Sequence, residues 1–155
     1  MKLFKIVFLV LIMGMSTLLA DTAKVVYDLT SGDSAKIEKH LIKSIKAVAE
    51  YYKKEKKEFK AMVVISGDAY KYFVNDLKKS PYADQKDVLK IQPQFKILLK
   101  SLNDEYHVRF NMCSSGMKAR KIEKDTLYHY IHADVMKSVY LIDAQNEGYA
   151  YMPIH

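Results

Sequence analysis

A single cysteine, Cys113, is all the thiol that this chain of 155 residues carries. One cysteine cannot form an internal disulfide, so the fold must rest on packing and not on covalent staples. The common nucleotide and hydrolase signatures are absent as well: there is no G-x-G-x-x-G, no P-loop, no H-E-x-x-H and no G-x-S-x-G. Phosphate cradling by a glycine-rich loop, zinc proteolysis and serine hydrolysis therefore lose their usual sequence support. Internal repeats and low-complexity stretches are also missing.

What is present begins with Lys2 and Lys5, an apolar run from Ile6 to Met13, and smaller residues ending at Ala20 before Asp21. This is the pattern of a secretory signal peptide over residues 1–20, cut after Ala20. The apolar stretch falls short of the roughly 20 residues that span a bilayer, so the membrane is expected to matter only if this leader stays uncleaved. No cysteine lies near the cut, which excludes a lipoprotein box. The expected location is the periplasm. Residues 21–155 are enough for one domain with a sizeable core and too few for two ordinary ones.

Charge adds little specificity. The formal charge of +7 loses two units with the leader, and the rest is spread along the chain. Lys53, Lys54, Lys56 and Lys57 sit beside Tyr51 and Tyr52, but Glu55 and Glu58 interleave with them, as on a solvated helix end. No nucleic-acid partner is expected.

Two periodicities alternate along the mature chain. Lys24 to Leu29, Phe59 to Ser66, Val108 to Cys113, Ala133 to Met136 and Tyr149 to Ile154 read as short strands bounded by turn residues. Ile37, Leu41, Ile42, Ile45, Val48, Ala49 and Tyr52 fall at helical spacing, with Asp33 or Ser34 placed to cap. Further helices are expected over Ala69 to Leu77, Phe95 to Tyr106, Met117 to Ile122 and Ser138 to Asn146, the last closed by Gly148. Lys78 to Asp87, which holds Pro81, reads as a loop. Strands separated by helices imply a three-layer α/β/α sandwich around a mostly parallel sheet of about five strands.

Ligands of such sheets gather at the carboxyl edge. Three segments should converge there: Thr30 to Asp33, Ser66 to Asp68, and Cys113 to Gly116. A thiol just before a helix faces free backbone N–H groups and the positive end of the helix dipole, which favours the nucleophilic thiolate. Ser66, Gly67, Ser114, Ser115 and Gly116 are the candidate binding residues around Cys113, with Arg120 adding charge if it turns inward. Asp33 and Asp68 at the same edge are more economically helix caps than an acid pair. His129 and His132 are spaced for a metal pair, yet no acidic or sulfur ligand accompanies them locally, and no metal is assigned. His107 belongs at the opposite end of the Cys113 strand, too far for a Cys–His dyad.

The order of elements, the cysteine closing the strand VRFNMC, and the tail QNEGYAYMPI at residues 145–154 together resemble the DsrE/DsrF-like family of sulfur-relay proteins, in particular its exported members. The resemblance implies a compact subunit that assembles into oligomers and, in the sulfur-transferring members, a cysteine that carries sulfane sulfur as a persulfide. Cys113 matches that cysteine by position. Ser66-Gly67 stands where relatives often carry His-Gly, so no histidine-assisted step is expected at that loop. The expected function is sulfur handling: Cys113 takes sulfane sulfur from a donor protein or small polysulfide and passes it to a partner thiol, with no cofactor. The rival expectation is a non-catalytic oligomeric binding or assembly module in which the cysteine is buried and inert.

Overall fold

The computed structural model describes residues 22–155, so the expected leader over residues 1–20 lies outside the described residues. Strand β1 (Ala23–Leu29) is buried over its last five residues and ends where the polar turn 30–33 begins. Asp33 then caps helix α1 (residues 34–54), its carboxylate accepting from the Ala35 and Lys36 N–H groups at 2.9 and 3.1 Å. The residues from Glu38 to Lys43 form a π-helical segment inside α1, and Ile37, Leu41, Ile42 and Ile45 are buried on its inner stripe.

Strand β2 (Phe59–Ile65) is followed by a 3-10 segment, Gly67–Phe73, where the sequence reading placed a short helix from Ala69. Helix α2 (Lys86–Asp104) starts well before the expected Phe95. Strand β3 (Arg109–Met112) leads through Cys113 into the short helix α3 (Ser114–Arg120). Strand β4 is the pair Ile131–His132, not the expected Ala133 to Met136. The latter segment is a connector whose backbone is spent elsewhere: Val135 O accepts from Ser114 N–H at 3.1 Å, and the Asp134 N–H donates to Tyr140 Oη at 2.9 Å. Helix α4 (Lys137–Asn146) and strand β5 (Ala150–Ile154) complete the domain, with Gly148 at a positive φ of 85° in the turn between them.

All neighbouring strands are parallel, in the order β4-β3-β2-β1-β5. From β1 to β4 the chain steps across the sheet in one direction, and from β4 to β5 it jumps back over β1 to the opposite edge. Right-handed crossovers put helices of opposite stepping direction on opposite faces. The larger core lies on one face and includes the buried residues of α1, α2 and α3. The smaller lies on the other, where Tyr140 and Ala144 of α4 pack on Val26, Met62 and Val64. The result is the three-layer parallel α/β sandwich expected from the alternating pattern. Connections leaving β3 and β4, which are neighbours, depart to opposite faces, and that divergence creates the switch point where ligands of open α/β sheets bind.

Candidate functional site

Cys113 stands at this switch point. Its backbone N–H donates to Ile65 O at 3.0 Å, which fixes it as the residue just beyond the β2–β3 ladder. Two helices begin around its sulfur. The Gly116 N–H from the first turn of α3 and the Lys137 N–H that opens α4, at 3.3 Å, both donate to Sγ. The Ser115 hydroxyl lies 3.8 Å away. Burial of the thiol, 9% exposed, works against ionisation, but the Gly116 and Lys137 N–H groups, the Ser115 hydroxyl and Tyr70 outweigh it and hold the thiol below its ordinary range.

Tyr70 braces the site from the other side. Its hydroxyl donates to the Cys113 carbonyl at 2.9 Å, and burial, followed by the Cys113 side chain beside it, pushes the phenol well above its ordinary range. The ring comes so close to α3 that a Cβ on Gly116 would lie 2.0 Å from Tyr70 Oη, so only glycine fits there. Arg120 turns inward, but onto the Tyr70 ring, with its guanidinium carbon 4.9 Å from the centroid. It therefore steadies the bracing ring, and no contact joins it to the sulfur.

Lys137 does more than lend its backbone. Its ammonium lies 2.9 Å from Oδ1 of Asp28, a β1 carboxylate only 3% exposed, whose Oδ2 accepts from Tyr151 Oη at 2.9 Å. Asn111, in β3 two residues before Cys113, is fully buried, and neither end of its amide has a hydrogen-bond partner among the described residues.

Of the residues singled out from the sequence, Ser115 and Gly116 meet the sulfur, and Ser114 ties α3 to the β4–α4 connector through its N–H. Ser66 and Gly67 serve the neighbouring loop. The Ser66 N–H donates to Leu29 O, and Gly67, at a positive φ of 62°, approaches Thr30 so closely that a Cβ would sit 2.7 Å from its carbonyl oxygen. His129 stacks edge-on against Tyr130, His132 lies at the end of β4, and no group of three or more potential metal ligands occurs among the described residues. Sequence reasoning missed Tyr70, Lys137 and Asp28. The one available signal was the acid in the otherwise apolar run KVVYDL, since a carboxylate at a central strand position calls for a partner.

Fold and site together define a parallel α/β protein with a buried, hydrogen-bonded thiol at the switch point of its sheet. The DsrE/DsrF-like family model matches residues 23–154, and the chain belongs to that family. An uncharacterized protein of Aquifex aeolicus (strain VF5) is 31% identical over 136 residues, which cover 88% of this chain and 58% of that protein. The chain thus spans little more than half the length of this relative. A solved structure of a protein of unknown function from Methanobacterium thermoautotrophicum superposes with a TM-score of 0.57 at 20% identity, covering 84% of this chain and 98% of the other, and shares the fold.

Proposed function

We propose that this chain is an exported sulfur carrier in which Cys113 holds sulfane sulfur as a persulfide. Membership of a family named for sulfur-relay proteins supports sulfur handling in general. The convergence of N–H donors from two helix starts on one sulfur is the observation that supports Cys113 as its carrier. In the loading step the Cys113 thiolate attacks a terminal sulfur of a polysulfide. One S–S bond forms at Cys113, one breaks in the polysulfide, and the shortened polysulfide leaves with the electron pair. In unloading, an acceptor thiolate attacks the outer sulfur and Cys113 departs as thiolate, a leaving group favoured by the same donors. Donor and acceptor are either proteins or small polysulfides, the working form is a homo-oligomer, and no cofactor takes part.

Mass spectrometry after brief exposure of residues 21–155 to polysulfide tests the reading. The expected result is a gain of whole sulfur atoms on Cys113 that Cys113→Ser abolishes. No gain, with the serine form behaving identically, overturns it. A second reading, an oligomeric binding or assembly module with an inert thiol, draws on the near-complete burial of Cys113 and on exposed Met136, Ile142, Tyr151 and Met152 along α4 and β5. Alkylation that proceeds only after unfolding would favour that module.

A further inference from the structure

Lys137 joins the reactive sulfur to a carboxylate two strands away. Its backbone lies at the end of β3, where the N–H donates to Cys113 Sγ, while its side chain crosses the end of β2 to the buried Asp28 of β1. The Met136 cap position of α4 makes no side-chain hydrogen bond; its carbonyl accepts from the Val139 and Tyr140 N–H groups and the Tyr140 hydroxyl holds the preceding connector, so Lys137 adds the side-chain tie that runs from the first turn across to β1. The ion pair and the Tyr151 hydroxyl are the polar ties that bind Asp28, and through Asp28 they reach Lys137. We propose that Asp28 is a positioning residue for Cys113, which it serves at a distance by anchoring Lys137 so that the first N–H of α4 points at the sulfur.

The charge of Lys137 is not what acts on the thiol in this arrangement. The ammonium is occupied by Asp28, and the group that meets Sγ is the peptide N–H, which every side chain except proline preserves. Breaking the pair leaves that N–H in the chain but releases the turn that aims it. A purely structural ion pair would alter stability alone. An anchoring pair alters the acidity of a thiol that neither of its charged groups touches. The other polar and charged groups about the sulfur, namely Ser115, Tyr70 and Arg120 beyond the Tyr70 ring, come from α3 and the β2–α2 connection and stay in place in each variant.

The test is the pH profile of Cys113 alkylation by iodoacetamide in the folded domain. It rests on the thiol being accessible and needs no sulfur donor, so its failure is separable from failure of the persulfide reading. Asp28→Asn keeps the Tyr151 hydrogen bond and frees Lys137, whose side chain is one-third exposed, to turn to water. Its alkylation midpoint should rise by about one pH unit, equivalent to about a tenfold loss of thiolate at a pH below both midpoints. The double variant Asp28→Asn with Lys137→Met leaves no buried charge unpaired and should show the same shift, while Lys137→Arg, which keeps the pair, should stay near wild type. An unchanged midpoint in Asp28→Asn, or a double variant that returns to the wild-type midpoint, overturns the proposal.

Discussion

Asn111 carries a cost that its neighbours do not relieve. A buried amide with neither end paired forfeits about 1–3 kcal/mol relative to a satisfied one, and an apolar side chain of the same shape forfeits nothing of the kind. Asn111→Leu is therefore expected to raise the unfolding midpoint by a few degrees in calorimetry, the reverse of the usual effect of altering a fully buried residue. A lowered midpoint would show that the amide is satisfied in solution. Single residues were also where the sequence was least legible. Cys113 stood out because it is unique and precedes a turn, whereas Lys137 is one of many lysines, and nothing local distinguishes it until β1 is placed two strands away. Long-range pairing of this kind leaves no periodic trace.

The apolar stripe of α1 and the bounds of α4 were read closely, whereas the start of α2 and the position of β4 were not. Ile37, Leu41, Ile42 and Ile45 made α1 plain, and the structure buries all four. The first half of α2 buries only Val88, and Pro93 sits inside the helix where its missing N–H leaves a carbonyl one turn earlier without its donor. Docking compensates: the Gln92 side chain donates to the Val74 and Asn75 carbonyls at 3.0 Å. β4 was displaced by two residues because the apolar letters of Ala133 and Val135 lie in the connector, while the paired strand is only Ile131–His132. That connector depends on α4. Tyr140 Oη accepts from the Asp134 N–H at 2.9 Å and the Val135 N–H at 3.4 Å, so Tyr140→Phe strands two N–H groups. We expect a loss of about 1–3 kcal/mol in denaturant unfolding, with a slower Cys113 alkylation because Val135 O also holds the start of α3.

At the scale of the whole molecule, the parallel three-layer architecture was legible from the alternation of short apolar runs and helical stretches, and its strand order was not. Tyrosine dominates the molecule's response to alkali. Burial raises the phenols of Tyr27, Tyr70, Tyr128 and Tyr130, that of Tyr128 up to about 12, while the Ser44 and Gln92 side chains pull Tyr27 and Tyr128 back in part. In the unfolded chain these phenols ionise near pH 10, so above that pH the folded state binds more protons than the unfolded one and stability falls as pH rises. Their stabilising contribution is complete below about pH 10 and is lost as pH climbs through the folded values. A spectrophotometric titration should show the exposed tyrosines ionising first and the buried ones together with cooperative unfolding. Smooth independent ionisation without unfolding would contradict this.

The placement of α4 has a temporal consequence. The sulfur's surroundings are gathered from Asp28, Tyr70, Gly116, Lys137 and Tyr151, which together span nearly the whole described chain, and the helix that supplies Lys137 comes almost last along it. A chain that has not yet docked α4 lacks the Lys137 N–H at the Cys113 sulfur. The surroundings that lower the Cys113 thiol are thus completed only when α4 docks, the last helix to join the sheet.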